Sequence, residues 1–157
     1  MAKIYRGADS DSYAAMTTKG FEYSRELAHK IGMDLGIVVL GEVEDNPPAA
    51  VLLEIPAGGR LPRHAHATNR MEVLIKGSII TPDGKELFPG DVSLSGPSEC
   101  YGPLIAGSNG CLTLEIFSGI NGLAPIPDEE DEDAERAAEI ASLSEKHRQV
   151  RETSGAA

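Results

Sequence analysis

The sequence predicts an all-β domain, a sandwich or barrel of short antiparallel strands. Residues 36–118 are rich in short aliphatic runs, and Gly and Pro separate those runs at close intervals. Closely spaced turn signals of this kind point away from alternating βαβ units. The 157 residues suit one domain with one hydrophobic core. With no Trp, 3 Phe and 4 Tyr, that core is expected to be mainly aliphatic.

The elements follow in order. Residues 1–35 are mixed and weakly patterned, and are expected to form an N-terminal arm packing on the barrel. Residues 20–35 are ambiguous: Glu22–Lys30 can form a short helix, but Gly20, Gly32 and Gly36 fence it in. The barrel is assigned to residues 36–121. Its candidate strands are Ile37–Val43, Ala50–Ile55, Arg60–Ala65, Met71–Ile80, Val92–Leu94 and Cys111–Phe117. Pro82 disfavours continuation of the long strand, and Asp83-Gly84 marks a tight hairpin turn. Pro89-Gly90-Asp91 and Ser95-Gly96-Pro97 mark further turns.

Residues 122–157 change character and read as an acidic linker followed by a C-terminal helix or tail. A two-proline connector, Gly122 to Pro127, opens this zone. The acidic run Asp128 to Asp133 follows. Residues 128–152 carry ten acids against four bases, so more than half of the net charge sits here. Ala134 to Val150 is rich in helix formers, with a loose apolar stripe. Acids at its start and Lys146, Arg148 and Arg151 near its end suit the helix dipole.

Composition narrows function. The 25 Asp and Glu against 14 Lys and Arg give a net charge of −11. That argues against nucleic acid as a partner, because its binders need a basic footprint. It also argues against a polybasic membrane anchor. The aliphatic run Ile37-Val38-Val39-Leu40 is far short of the ~20 residues of a membrane helix. No apolar stretch of a signal peptide follows the N-terminal charges. Two cysteines, Cys100 and Cys111, are too few for a disulfide scaffold, and reduced thiols in the cytoplasm are expected. Gly58-Gly59 precedes no helical pattern, and no phosphate-cradling loop is present, so no nucleotide cofactor is expected.

The densest cluster of chemistry-bearing side chains runs from Gly58 to Glu72. His64 and His66 stand two residues apart. In a strand they project from one face, roughly 6–7 Å apart. Two imidazoles on an inner face are a natural start for a metal site. If Ala67-Thr68-Asn69 is a three-residue hairpin loop, His66 faces Arg70 and His64 faces Glu72. Leu74 and Ile80 share the parity of that face, which favours its pointing inward. Glu99, Cys100, Asn69, His29 and His147 are weaker candidates, explained equally well by turns, packing or solvation.

At these residues the sequence resembles the cupin family. The first cupin motif, Gly, five residues, His-x-His, a short gap, Glu, six residues and Gly, is matched by Gly58, His64, His66 and Gly77. Gly90 fits the opening glycine of the second motif, and Gly96-Pro97-Ser98 stands where its Pro-x-Gly belongs. The resemblance implies a cupin-type barrel, a double-stranded β-helix or jelly roll, and a homodimer. It also implies a divalent metal held by His, His, Glu and His. Two of those positions differ here: Arg70 occupies the Glu position and Tyr101 the last His position.

Three readings follow. In the first, His64, His66 and Glu72 hold Fe, Mn or Zn, Tyr101 completes the shell, and Arg70 binds a carboxylate-bearing or oxygenated substrate. A dioxygenase, an isomerase and a cyclase all fit that arrangement. In the second there is no metal: a histidine is the base, Tyr101 the acid, and Arg70 binds an anion. In the third the barrel only binds a small ligand. All three expect a small-molecule partner inside the barrel.

Overall fold

The computed structural model describes residues 1–131 together with residues 139, 142, 145, 146, 149, 152 and 153. The helix expected over Ala134 to Val150 lies largely outside the described residues, as does His147. Two short helices, α1 (Ser12–Met16) and α2 (Glu22–Lys30), precede the sheet. The strands are β1 (Asp34–Val39), β2 (Ala49–Ile55), β3 (Arg60–Leu61), β4 (His64–Ala65), β5 (Arg70–Ile80), β6 (Glu86–Leu87), β7 (Val92–Ser95), β8 (Leu104–Phe117) and β9 (Ile126–Pro127). The architecture is all-β and antiparallel. The main sheet runs β1-β2-β8-β5-β6; β3 also pairs with β8 and β7 with β5, while β4 pairs with β9. Among the described residues no helix is long and apolar enough to cross a membrane.

Alternation along the strands sorts side chains into two layers. Ala49, Val51, Leu53 and Ile55 of β2 face inward, as do Cys111, Thr113, Glu115 and Phe117 of β8. Ala50, Leu52, Leu112, Leu114 and Ile116 face the other way, half-buried. β5 breaks this pattern in its middle. Its register against β8 shifts between Leu74 and Lys76 and again between Gly77 and Ile79. Leu74 and Ile79, five residues apart, are both buried, whereas Ile80 is 36% exposed. The shared face expected for Leu74 and Ile80 is therefore lost, because extra residues in a bulge reverse the parity. Gly77 makes this bend: its φ is +76°, and a Cβ there would stand 1.9 Å from the Gly110 carbonyl oxygen. It is a strand residue rather than the turn residue its composition suggests.

The segment expected as one strand, Arg60–Ala65, is two fragments broken at Pro62-Arg63. The hairpin expected between His64–His66 and Arg70–Glu72 does not form. Both edges of Arg70–Val73 are already occupied, by β7 on one side and β8 on the other. β4 instead pairs His64 with Pro127 and, through a bridge, with Tyr101.

Two elements close over the inner layer. α2 packs on β1 and ends on two backbone bonds, Gly32 N–H to the His29 carbonyl and Met33 N–H to the Ala28 carbonyl. The start of the acidic linker is clamped onto the β3–β4 segment. Arg60 donates to Asp131 at 2.8 and 3.0 Å, Arg63 Nε to Asp128 at 2.6 Å, and the Arg63 N–H to Asp131 at 2.6 Å. The linker thus follows the strand that carries the histidines.

Candidate active site

β4 and the residue after it bring His64 and His66 into the interior, with ring centroids 5.0 Å apart. Their exposures are 4% and 6%. Each ring is fixed by a carbonyl. His64 Nδ1 donates to the Pro62 carbonyl at 2.6 Å, and His66 Nδ1 to the Gly122 carbonyl at 2.6 Å. Gly122 reaches that position in the turn Ile120–Gly122 because it has no side chain; a Cβ would stand 1.9 Å from Thr68 Oγ1. A carbonyl oxygen can only accept, so both protons sit on Nδ1. In a neutral ring Nε2 is then a bare lone pair.

Burial keeps the rings neutral. Desolvation lowers the His64 pKa, opposed by the Pro62 carbonyl and Glu115. His66 is lowered to about 3, by desolvation first and by His64 second. Both lone pairs converge on the hydroxyl of Tyr101. That oxygen is 2.7 Å from His64 Nε2 and 3.0 Å from His66 Nε2. Burial and then the charge of Glu115 raise the Tyr101 pKa well above its ordinary value, so the phenol keeps its proton.

Behind the phenol lies an ion cluster. Arg70, 2% exposed, places its guanidinium carbon 4.1 Å from the centroid of the Tyr101 ring. Its Nε donates to Glu115 at 2.6 Å, and its Nη2 is 2.9 Å from Glu72. Glu72 and Glu115 are directly opposed across β5 and β8, and Ser93 Oγ donates to Glu72 at 3.2 Å. Burial is the largest influence on Glu115 and pushes it up, but the Arg70 charge and hydrogen bond together with the two histidines outweigh it and the net shift is downward. For Glu72, burial wins over Arg70 and the shift is upward.

A cavity of about 120 Å³ lies between α2 and the sheet. His64, His66, Glu115 and Phe117 line it together with aliphatic side chains of α2, β1 and β2. Tyr101, Arg70 and Glu72 are not among its lining residues.

This placement corrects two expectations. Glu72 does not complete a shell around the histidines; Arg70 and Ser93 hold it, and the carboxylate on the cavity wall is Glu115. Arg70 does not offer its charge to a substrate anion, because two carboxylates and an aromatic face enclose it. Glu115 escaped the sequence reading, although a carboxylate inside the aliphatic strand Leu112–Phe117 was a visible signal. Glu54 interrupts β2 in the same way and faces outward, so parity in the folded sheet had to decide. Among the weaker candidates, Glu99 accepts the Gly96 N–H in a turn and His29 sits 3.0 Å from Asp34. Cys100 is partly exposed and free.

The donor set does not fit the divalent metal that the resemblance implies. Two bare imidazole nitrogens converge as a metal would require. The third donor is a neutral phenol stacked on a guanidinium, and both nearby carboxylates are committed to that guanidinium. Among the described residues no three His, Cys, Asp or Glu side chains come together closely enough to hold an ion.

No protein-family model matches the sequence, and no curated protein matches it. Solved structures do. A protein of unknown function with a cupin-like fold from Ralstonia eutropha superposes with a TM-score of 0.50 at 15% identity, over 82% of this chain and 81% of that one. KdgF from Halomonas sp. gives a TM-score of 0.49 at 21% identity, over 56% of this chain and 79% of that one. An RmlC-like cupin from Shewanella frigidimarina gives 0.48 at 20% identity, over 64% and 80%. At these identities the likeness speaks for the fold, and the first superposition carries it. Together with the antiparallel sheet, it shows that this chain has a cupin-like fold.

Proposed function

We propose that the protein is an acid–base enzyme of the isomerase kind, moving a proton on a small molecule held inside the barrel. One observation carries this reading: three heteroatoms share a single hydrogen. Tyr101 can donate to one Nε2 only, and the shorter distance, 2.7 Å, assigns that proton to His64. The lone pair of His66 then faces the phenol oxygen at 3.0 Å with no hydrogen between them. A buried acceptor left without a donor costs about 1–3 kcal/mol. The cluster is one proton short, and the vacancy is at His66 Nε2.

The chemistry follows from that vacancy. A substrate C–H next to a carbonyl, or an O–H, gives its proton to His66 Nε2. The new N–H donates to the Tyr101 oxygen, which still donates to His64, so the chain of hydrogen bonds is complete. Glu115, on the same wall, offsets the charge of the imidazolium. Return of the proton to a different substrate atom completes the isomerisation. Arg70 anchors the Tyr101 ring and never meets the substrate.

A second reading, a barrel that binds a ligand without turning it over, is favoured by the absence of Tyr101 from the cavity wall. Exchange of α-protons separates the two. Small ketones such as cyclohexanone are incubated with the protein in D2O and followed by NMR. The acid–base reading expects exchange above the buffer rate. It expects Tyr101→Phe, still folded, to lose about a hundredfold or more of it. Binding without exchange supports the second reading. Stoichiometric metal in protein purified without chelators, absent from a His64→Ala/His66→Ala variant, overturns both in favour of a metal centre.

We place this activity in a reducing compartment, the cytoplasm, because Cys100 and Cys111 are both free.

A further inference from the structure

Resting on the reading of His66 as the base, we infer that the substrate is an uncharged molecule with a compact hydrocarbon body of about five or six carbons and a single oxygen function, the hydrogen it gives up directed at His66, and that carboxylates are excluded. Two independent observations lead there. The first is the wall. Leu27 and Ala28 of α2 and Ile31 just after it face Val51 and Leu53 of β2 across the cavity, with Phe117 beside the histidines. These side chains offer dispersion and no hydrogen bonds, so a polar body would lose its water without replacement. An apolar cavity of about 150 Å³ holds a benzene ring, and one of 120 Å³ takes a body of similar size.

The second is charge. The ionisable groups on the cavity wall are His64, His66, Glu115 and Glu139. Burial holds both histidines neutral, and the other two are carboxylates. Among the described residues the one buried guanidinium, Arg70, is absent from the wall and lies between Glu72 and Glu115. Among the described residues, an anion entering the cavity meets acids and no cation. An ammonium group is not favoured either, because Glu115 already accepts from Arg70 at 2.6 Å and aliphatic side chains make up most of the remaining wall, which cannot solvate a second cation.

Calorimetric titration with probes of one shape tests this. Cyclohexanone, 4-oxocyclohexanecarboxylate and cyclohexylamine share a six-membered ring and differ in charge. Cyclohexanone is expected to bind at least tenfold more tightly than either charged probe at pH 7. Ala28→Phe, which fills the cavity, is expected to weaken it at least tenfold. Should that variant fail to fold, Leu53→Ala is expected to move the preferred ring size upward, from cyclohexanone to cyclooctanone. Equal or tighter binding of a charged probe, no binding of cyclohexanone, or a ring-size preference unmoved by Leu53→Ala overturns the inference. Its failure is separable from that of the acid–base reading. Cyclohexanone that binds without exchanging protons sinks the acid–base reading alone. Exchange confined to 4-oxocyclohexanecarboxylate sinks this inference alone.

Discussion

Arg70 stands where the cupin motif places a carboxylate, and that single exchange reorganises the interior. A guanidinium buried to 2% exposure needs anions, and Glu72 and Glu115 supply them from neighbouring strands. The position of Arg70 in the motif was legible in the sequence. Its partner Glu115 was not, because 45 residues separate the two and only the β5–β8 register brings them together. Removing one partner of such a cluster leaves buried charge uncompensated, at about 3–5 kcal/mol. Arg70→Met is therefore expected to lower unfolding stability by that amount in urea denaturation. A loss below about 1 kcal/mol would show that the cluster is hydrated and that Arg70 is free for other duties.

The strands show where sequence patterning stops being informative. Alternation located β2 and β5 to within one residue at their starts, because long strands repeat their signal, but it found only the second half of β8 and missed the stretch from Leu104 to Gly110. The histidine strand was misread at the level of pairing. β4 has only two residues, and its partners, Tyr101 and Pro127, lie far along the chain. The shared face of His64 and His66 survived that error, since it depends on local period alone. The bulge in β5 was not visible either: Gly77 looks the same whether it forms a turn or presses against another backbone. Its role predicts a large effect. Gly77→Ala forces a Cβ into the Gly110 carbonyl at a φ of +76° and is expected to abolish cooperative thermal unfolding. Gly84→Ala, at a φ of +79° but with open space around it, is expected to cost only about 1–2 kcal/mol. Similar behaviour of the two variants would contradict the close approach of β5 and β8.

Where β5, β7 and β8 meet, polarity is inverted relative to an ordinary sheet with one wet face. Arg70, Glu72, Ser93, Thr113 and Glu115 look inward, while Met71, Val73, Val92, Leu94, Leu114 and Ile116 look outward. Val92 is 54% and Leu94 74% exposed. The chain carries a net charge of −11, yet these outward positions carry none. Copies that repel one another elsewhere can meet there, and an uncharged flat face is complementary to itself. We propose this face as the contact of the expected homodimer. Sedimentation is expected to give a dimer for the natural sequence and a monomer for Leu94→Glu with an unchanged circular dichroism spectrum. A natural sequence that sediments as a monomer contradicts the assignment.

The proton count of the His64–Tyr101–His66 cluster can be read directly. In chelator-treated protein labelled with 15N at histidine, long-range correlation spectra report which ring nitrogen carries hydrogen. At pH 7 the account predicts both rings neutral, each protonated on Nδ1 and bare on Nε2. It also predicts that His66 stays neutral until the pH approaches about 3. A hydrogen on either Nε2 at neutral pH, or an imidazolium there, would mean that the vacancy at His66 is already filled.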